Sequence, residues 1–476
     1  MAQAQSRAPA PAPWPLAPAA PAPLQDLLVV GGGLTGFALA AALPRALQAR
    51  SVVADKSNSP GRLTVNRARG AAAPSVCDLG AQYFTAYDAR SAAMLAELEA
   101  AALVARMPAG AVRGARGNHE ARAHFVATRG TAAVVDAHLL PRAAAGGATV
   151  RRGVRIAALE VVAAPPGESA GGGAAVWRAT DEAGGAALFR ACALALPAPQ
   201  VLQLGGDAPR VLAVSGLAPL LGAVAFSARF AVALYFAAES RDFFEAALPW
   251  PELGRFVGRD EPGGDMLRYI AFESRKRQVG TGAGAGAGAG ANASAGAAEA
   301  QASLSLSPLA EAADTEAAGR FPSFIVHSTV EFGALHTDAP DFQKVLGPGL
   351  VAAACAALAR AAGLAPGAAL PHAPVETRVH RWKYSQMTAG VPAGALEAAA
   401  GAAAAAGAGV EVSVADEGAA VAVRGVTVGA PGGAAAGLPS PPLIVAGDWL
   451  AESNMAGCLR SAEAATALAT AALGRA

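Results

Sequence analysis

Gly31, Gly33 and Gly36 follow an apolar run and have the spacing of a dinucleotide-binding turn. In such a turn the first glycine lets the chain reverse, the second admits a pyrophosphate to the backbone, and the third lets the next helix pack against the strand. Leu34 and Thr35 would begin that helix, whose N–H groups and positive dipole end favour phosphate oxygens. The spacing therefore predicts that these five residues hold the phosphates of a dinucleotide.

An acidic residue stands where such a turn would need a partner for the ribose. A second apolar run ends in Asp55, nineteen residues after Gly36. A carboxylate at this point accepts hydrogen bonds from an adenosine ribose and disfavours a 2′-phosphate. Glycine spacing alone is a weak signal in a chain with 55 glycines. The strand before the turn, the helix after it and this acid together favour a dinucleotide site.

The far end of the chain carries another strand, turn and helix start. Apolar residues 443–446 lead to Gly447 and Asp448, and Ser453 or Asn454 would cap a long alanine-rich helix. If this segment lies beside the first turn, the dinucleotide domain is discontinuous and suits a flavin. The N-terminus of the last helix would then stabilise the negative charge that develops on a flavin ring when it accepts a hydride.

The elements that must position these residues alternate between strands and helices. The apolar pattern predicts a helix at 92–104 and a buried strand at 191–196. Residues 217–236 have the alternation of a strand in an antiparallel sheet, with neighbouring strands at 269–272 and 324–327. The pattern predicts an α/β fold, in which a Rossmann-type domain is joined to an α+β domain built on an antiparallel sheet.

Shifts in composition divide the chain into segments. The Ala/Pro-rich tail is predicted to be disordered, and two Gly/Ala-rich stretches are predicted to be surface insertions without chemistry. The middle of the second insertion alternates like a small hairpin. The predicted segments are a tail at 1–23, a dinucleotide domain at 24–92, 126–208 and 441–474, an interface helix and loop at 93–125, and a substrate domain at 209–440 with insertions at 280–300 and 393–440.

Charge and cysteine spacing narrow the class of partner. Lysines and arginines number 37 against 36 acids, a net charge of +1, so neither nucleic acid nor an anionic membrane surface is expected. The most apolar window, 212–237, contains Pro219 and Arg229, which argues against a membrane helix. Four scattered cysteines form no Cys-x-x-Cys pair and predict no metal site. We expect a small-molecule ligand and a reducing cytoplasm, with organellar targeting by the N-terminal tail as the alternative.

Several segments, taken in order, resemble the renalase family. The resemblance covers residues 26–473 outside the two insertions. One departure is Pro60, which replaces a glycine of the family's Gly-Gly-Arg-Met and removes a backbone donor. The matching segments are Gly31-Gly-Gly-Leu-Thr-Gly36, Asp55-Lys56, Gly61-Arg-Leu-Thr64, Asp78-Leu-Gly-Ala-Gln-Tyr83, Ser227-Ala-Arg-Phe-Ala231, Trp382-Lys-Tyr-Ser-Gln386, and Gly447-Asp448 with Ser453-Asn454 and Gly457-Cys458.

This resemblance implies an FAD-dependent oxidoreductase with a p-hydroxybenzoate hydroxylase-like fold, related to the flavin amine oxidases. Such enzymes oxidise 2- or 6-dihydro isomers of NAD(P)H to NAD(P)⁺ by hydride transfer to FAD, and O₂ then accepts the electrons to give H₂O₂. A dihydronicotinamide and O₂ are the implied partners. Carried over by motif, the residues that would hold FAD are Gly31, Gly33, Leu34, Thr35, Gly36, Asp55, Lys56, Arg62, Val154 through its backbone, Gly447, Asp448, Asn454 and Gly457.

Four residues are candidates for the substrate site. Hydride transfer to a flavin depends on stacking geometry more than on acids or bases, so few titratable groups are expected. Gln82 and Tyr83 could line the site or belong to a packed loop. Trp382 could form an aromatic wall over the nicotinamide or fill the core. His327 could contact the substrate or be a core residue at the end of its strand.

Two alternatives to this function stay open at the level of sequence. A flavin amine oxidase often carries a lysine near the flavin, and Lys383 is a candidate for that role. A flavin-free binding protein could use the same scaffold, although the intact Arg62 and Asp448 argue against it. Arg229 and the basic residues at 274–277 could attract substrate phosphates or be a solvated run.

Overall fold

The structure, a computed structural model, describes residues 24–115, 121–167, 175–261, 263–280, 320–405, 409–428 and 438–474. The predicted disordered tail and residues 281–300 of the first insertion lie outside this described part. The chain folds into two compact units. The first comprises the described parts of Met1–Gly61, Val135–Phe226 and Met387–Ala476, and the second comprises those of Arg62–Val134 and Ser227–Gln386.

The first unit contains a large mixed sheet. The strands of this unit are β1 (Gln25–Val30), β2 (Ser51–Asp55), β9 (Thr149–Arg152), β10 (Ile156–Ala163), β11 (Ala175–Asp181), β12 (Ala186–Leu194), β13 (Gly205–Gly206), β14 (Ala225–Phe226), β20 (Met387–Ala389), β21 (Glu411–Ala415), β22 (Ala420–Arg424), β23 (Thr427–Val428), β24 (Leu438–Pro439) and β25 (Leu443–Ala446). Strands β14 and β20 pair with each other outside the large sheet, as do β23 and β24. Its α-helices are α1 (Leu34–Ala42), α2 (Arg45–Gln48), α4 (Leu140–Ala145), α5 (Ala198–Val201), α6 (Ala208–Val214), α7 (Leu217–Gly222), α13 (Ala395–Ala405) and α14 (Met455–Leu473), with a π-helix at Val134–Leu139 and a short 3₁₀ helix at Asp448–Leu450.

Parallel strands form the centre of this sheet in the order β9, β2, β1, β12 and β25. The last four residues of the first strand are apolar, and Leu27 and Val29 are fully buried, as is typical of parallel strands covered on both faces. The first residues of β12 pair antiparallel with β11, and β11 pairs antiparallel with β10. The predicted Rossmann-type arrangement is confirmed here, because β1 turns through glycines into α1 and the chain returns in parallel as β2.

The structure corrects the predicted insertion at 393–440. Helix α13 buries Leu396 and Ala403, and β21 and β22 form the predicted hairpin. Strand β22 then pairs antiparallel with β25, so the hairpin extends the large sheet. An alanine-rich composition conceals this, because alanine favours helix and packs without a long apolar side chain. The described part of this segment belongs to the core of the first unit.

The second unit is organised around a six-stranded sheet in the order β19, β15, β18, β17, β16 and β7, antiparallel except between β16 and β7. Its strands are β3 (Val65–Arg67), β4 (Val76–Asp78), β5 (Phe84–Thr85), β6 (Val104–Arg106), β7 (Val112–Arg113), β8 (His124–Ala127), β15 (Arg229–Tyr235), β16 (Gly254–Phe256), β17 (Leu267–Phe272), β18 (Ser323–Ser328) and β19 (Glu376–Trp382). Its α-helices are α3 (Ala89–Ala100), α8 (Arg241–Ala247), α9 (Glu273–Lys276), α10 (Val330–His336), α11 (Phe342–Val345) and α12 (Gly347–Ala361), with 3₁₀ helices at Ala238–Ser240 and, at the start of the unit, Gly61–Leu63.

The two faces of this sheet bury different side chains. On one face Phe230, Val232 and Leu234 of β15 pack with apolar residues of α12. On the other face the small residues Ala231 and Ala233 pack against the segment that contains β4. Because successive side chains of a strand point to opposite faces, β15 presents bulky side chains to one core and alanines to the other face. Larger side chains of the neighbouring strands can therefore lie over the alanine face.

The boundaries of the two units differ from the predicted domains. Residues 62–92 and 126–134 belong to the second unit, as do the described residues of 93–125, because β4 packs on the second sheet. Residues 209–226, together with the described parts of 387–440, belong to the first unit, because α6, α7 and β22 pack in the core of the large sheet. The order of the segments along the sequence therefore does not predict which of the two sheets each segment packs against.

The predicted strand at 217–236 is partly wrong. It begins as helix α7, which follows Gly216 in a left-handed conformation with φ of +75°, and only Arg229–Tyr235 forms the long strand. A proline within the first turn of a helix costs little, so Pro219 did not exclude this helix. Among the described residues, no helix is both long and apolar enough to cross a membrane.

Candidate functional site

The turn between β1 and α1 has the conformation that its glycines predict. Gly31 has a φ of +112°, and a Cβ there would lie 2.3 Å from the carbonyl oxygen of Ala195. A Cβ on Gly36 would lie 1.9 Å from the carbonyl oxygen of Gly31. At Gly33, in contrast, no described atom lies within 4 Å of such a Cβ. The accessible backbone of this turn is therefore at Gly33.

Helix α1 begins beside this open position. Leu34 and Thr35 are its first residues, Gly33 is its N-cap, and no side chain of the described residues caps it. Gly61 lies close by, since a Cβ on it would be 3.6 Å from the Cα of Gly33. The N–H groups of a first helical turn need acceptors, and a phosphate oxygen satisfies them. Two glycine backbones and a helix start thus form a cradle with the chemistry of an anion site.

The Asp55 carboxylate ends β2 beside the same turn. It accepts a hydrogen bond from the Gly32 N–H and another, at 2.6 Å, from the Ser57 N–H. Burial raises the pKa of this carboxyl above its usual value, and the two N–H donors oppose that rise. The acid therefore lies beside the glycine-rich turn, with one oxygen held by Gly32 and the other by Ser57.

Lys56 and Val154 make contacts within the first unit that limit what each can offer a cofactor. The Lys56 ammonium donates to Gln200 Oε1 at 3.2 Å. The Val154 N–H donates to the Asp55 carbonyl oxygen at 2.9 Å. A backbone contact from Val154 to an adenine would therefore use its carbonyl oxygen.

Arg62 lies in the 3₁₀ helix Gly61–Leu63 and belongs to the second unit. Its guanidinium donates to the Ser385 carbonyl oxygen at 3.3 Å. Pro60 precedes this helix and is buried. Its ring carries no N–H, so any anion contact in this loop must come from the Arg62 side chain or from other amides.

The turn that follows β25, the last strand, lies at the same edge of the sheet as the turn that follows β1. Strand β12 lies between β1 and β25, and all three are parallel, so the two turns are about 10 Å apart. Helix α14 packs against α1. Asp448 is buried, and the Gly447 N–H donates to Ser461 Oγ at 2.7 Å. The two ends of the chain thus meet at one sheet edge.

The N-terminus of α14 is capped by Asn454, as predicted. The Asn454 side chain accepts from the Gly457 N–H at 2.9 Å and donates to Glu452 Oε2 at 2.9 Å. A Cβ on Gly457 would lie 1.9 Å from the Glu452 carbonyl oxygen, so the first turn of α14 is packed tightly against the preceding loop. The helix start is therefore fixed relative to β25.

In the second unit, four polar or aromatic side chains belong to one face of the sheet. His327 on β18 and His380 on β19 both pair with the same alanine of β15, and Trp382 pairs with Arg229. The rings of His380 and Trp382 are 4.4 Å apart in an edge-to-face arrangement. Trp382 Nε1 donates to the Leu79 carbonyl oxygen at 2.7 Å, which fixes the plane of the indole.

Both histidines of this face are neutral at physiological pH. Burial lowers the pKa of His327 to about 3, and the nearby Arg229 and Lys276 lower it as well. Burial lowers the pKa of His380 to about 4, with Arg378 as the second cause. Two uncharged imidazoles and an indole thus form an aromatic surface, and Arg229 supplies a positive charge on the same face.

The structure brings Gln82 to His327 and places Tyr83 elsewhere. Gln82 Nε2 lies 3.3 Å from His327 Nε2. Tyr83 packs against the small cluster of Ala111, Val126, Leu253 and Val279, and its ring meets His124 edge-on at 5.4 Å. Of the four predicted substrate-site residues, Gln82 contacts His327, Trp382 lies on the same face of the sheet as His327, and Tyr83 is partly buried against a different cluster.

A buried ion network lies behind Gln82, and sequence reasoning missed it. Asp78, Glu273, Lys276 and Arg277 are each at most 2% exposed. Lys276 Nζ lies 2.6 Å from Glu273 Oε1 and 3.6 Å from Asp78 Oδ2. Arg277 Nη2 lies 2.9 Å from Asp78 Oδ2 and 2.8 Å from Glu273 Oε2. The basic run at 274–277 is therefore not a solvated one, and the i, i+3 and i+4 spacing of Glu273 with the two cations was the available signal.

The lysine beside Trp382 has no buried role. Lys383 is exposed, and its ammonium donates to Asp338 Oδ1 at 2.9 Å. Pairing with Asp338 raises the pKa of Lys383. Lys383, the residue on which the amine oxidase alternative depends, is therefore exposed to solvent.

Comparison with known proteins gives two results. Residues 29–98 match a family model described as an NAD(P)-binding Rossmann-like domain. The chain is also similar to renalase of Mus musculus, with 24% identity over 375 residues that cover 77% of this chain and 87% of renalase. The first match begins in β1 and extends through the glycine-rich turn and Asp55. A Rossmann-like dinucleotide-binding domain therefore opens the chain.

Proposed function

We propose that this chain is an FAD-dependent oxidoreductase of the renalase type. It would oxidise 2- or 6-dihydro isomers of NAD(P)H to NAD(P)⁺ and pass the electrons to O₂, with H₂O₂ as the product. The observation that carries the proposal is the placement of two turns at one edge of a parallel sheet, one open at Gly33 and one leading to the capped helix start at Asn454. The similarity to mouse renalase along most of both chains supports it.

The residues of the first unit fit a flavin dinucleotide. The cradle at Gly33 and the start of α1 would hold the diphosphate, and Asp55 would accept from the ribose. The N-terminus of α14 would stabilise negative charge at the N1/C2=O side of the ring. Bound FAD would supply a ring that accepts a hydride and returns the electrons to O₂. Ligands bind at the carboxyl ends of parallel strands in folds of this kind, which is where these groups lie.

The second unit would supply the substrate-binding surface. Oxidation of a dihydronicotinamide yields a cationic aromatic ring, so the surface must bind a flat ring and tolerate its positive charge. Neutral His327 and His380 add no positive charge to that of Arg229, and the face of the Trp382 indole attracts a cation. No proton has to leave the substrate when a hydride departs. The reaction therefore needs no general base, and the weakly basic imidazoles of His327 and His380 are consistent with it.

Rapid anaerobic mixing tests the proposal directly. The flavin absorbance of the purified holoenzyme should bleach far faster with 6-dihydro-NAD than with benzylamine, because only the dihydronicotinamide is a ready hydride donor. Equal bleaching by benzylamine would support an amine oxidase instead. Protein that is colourless and stays so after addition of FAD would support a flavin-free binding protein.

Replacing Trp382 by alanine should slow flavin reduction about tenfold or more while FAD stays bound, because the ring that orients the nicotinamide is lost. The hydrogen bond from Trp382 to Leu79 is lost in both the alanine and the phenylalanine variants, so Trp382→Phe is the matched control. It keeps an aromatic wall and should retain most of the rate. A Trp382→Ala enzyme with an unchanged reduction rate in single-turnover mixing would remove Trp382 from the substrate site.

A further inference from the structure

The Gln82 amide is held in one orientation by the ion network behind it. Lys276 Nζ donates to Gln82 Oε1 at 2.9 Å, and the ammonium is itself fixed by Glu273 Oε1 at 2.6 Å. Gln82 Nε2 lies 2.6 Å from the Asp78 carbonyl oxygen and 3.0 Å from that of Gly80. A flipped amide would set its oxygen against two carbonyl oxygens and its NH₂ group against an ammonium. The NH₂ group therefore faces the carbonyls and His327, and its two hydrogens are shared among these three acceptors.

This orientation determines where His327 carries its proton. Gln82 Nε2 is 3.3 Å from His327 Nε2, and an amide nitrogen is a donor without an available lone pair. Two donors facing each other would repel, so His327 Nε2 must be the acceptor. The single proton of the neutral imidazole is then on Nδ1. Among the described residues, Gln82 is the hydrogen-bond partner of the His327 ring, through Nε2, and none is recorded at that Nδ1.

We propose that Lys276 is a positioning residue that acts through Gln82 to hold His327 as its Nδ1–H tautomer. His327 then presents one N–H donor to a ligand and has no acceptor to offer, since Nε2 is engaged. The ligand group it fits is a hydrogen-bond acceptor, and in the proposed substrate that acceptor is the carboxamide oxygen of the nicotinamide. This last step rests on the proposed function, in which the substrate is a nicotinamide, whereas the tautomer itself does not depend on any substrate.

The tautomer is measured without substrate by long-range ¹H–¹⁵N NMR on protein carrying ¹⁵N-histidine, with the His327 signals assigned from their loss in His327→Asn. Wild-type protein should show the Nδ1–H pattern. In Gln82→Glu the donor facing Nε2 becomes an acceptor, so the Nε2–H form should change from the minor to the major species. In Lys276→Met the amide loses its anchor and both tautomers should appear, whereas Lys276→Arg, which keeps a donor to Gln82, should restore the wild-type pattern.

Two results would overturn the proposal. One is an Nε2–H pattern in the wild-type protein. The other is an unchanged Nδ1–H pattern in either Gln82→Glu or Lys276→Met, with the fold of each variant verified by its amide spectrum. Neither result would bear on the flavin, so failure of this inference is separable from failure of the proposed reaction. If the tautomer is as proposed but substrate analogues with and without the carboxamide lose the same affinity in Gln82→Glu, only the assignment of the ligand group falls.

Discussion

Replacing Gly33 by valine is expected to give a folded protein that no longer retains FAD. A Cβ at this position meets no described atom within 4 Å, and the backbone is already in the extended region with φ of −81° and ψ of −171°. The fold should therefore tolerate valine. The added methyl groups would occupy the space that a diphosphate needs beside the start of α1, so affinity for FAD should fall about 100-fold or more, which corresponds to about 3 kcal/mol.

Two other glycines supply the controls for this experiment. Gly401 in α13 is exposed, and a Cβ there also meets nothing within 4 Å, so Gly401→Val should keep FAD. Gly36→Val should instead damage the fold, because its Cβ would lie 1.9 Å from the Gly31 carbonyl oxygen. The measurements are the flavin content of the purified protein, titration of the apoprotein with FAD, and thermal unfolding. Fully loaded, yellow Gly33→Val protein would contradict the proposed cradle.

The features that the sequence predicts correctly are those whose cause is local. A glycine-rich turn between a strand and a helix needs particular backbone conformations, and Gly31 and Gly36 are the residues at which a side chain cannot fit. The cap at Asn454 is local in the same sense, because a side-chain oxygen and an N–H three residues later are enough to form it. Such features can be inferred from a few consecutive residues.

The features that the sequence conceals depend on distant partners. The hairpin β21–β22 alternates clearly, but only pairing with β25 makes it part of the large sheet. Likewise Lys276 and Arg277 look like a solvated run until Asp78, 195 positions before Glu273, is brought beside them. A buried cation needs a carboxylate beside it. The sequence of residues 274–277 does not show that Asp78 provides one.

The orientation of Gln82 is a further case in which sequence gives the residue and structure gives its role. Gln82 was predicted as a site residue from a motif, with a packed loop as the alternative. In the structure it is both buried and in contact with His327. The two interpretations are compatible, because the buried contacts with Asp78, Gly80 and Lys276 are what orient the amide.

Truncating Glu273 to alanine is expected to lower the free energy of unfolding by about 3–5 kcal/mol, the range for breaking a buried ion pair on one side. The two Glu273 oxygens accept from Lys276 and Arg277 and from the Asp78 N–H at 2.8 Å. Burial raises the pKa of this carboxyl, whereas Asp78, despite the same burial, has its pKa lowered by Arg277 and Lys276. Removing Glu273 leaves two cations to share one carboxylate away from water.

The matched control is Glu331, an acid of the same unit that forms an equally short but solvent-exposed ion pair. Glu331 lies 2.6 Å from Arg259, and both side chains are more than half exposed, so Glu331→Ala should change stability by less than about 1 kcal/mol. Urea denaturation of both variants measures the difference. Because Lys276 also donates to Gln82, the Glu273 variant should lose the fixed orientation of the amide even where it remains folded. Equal stabilities of the two alanine variants would mean that water or another group replaces Glu273 in the network.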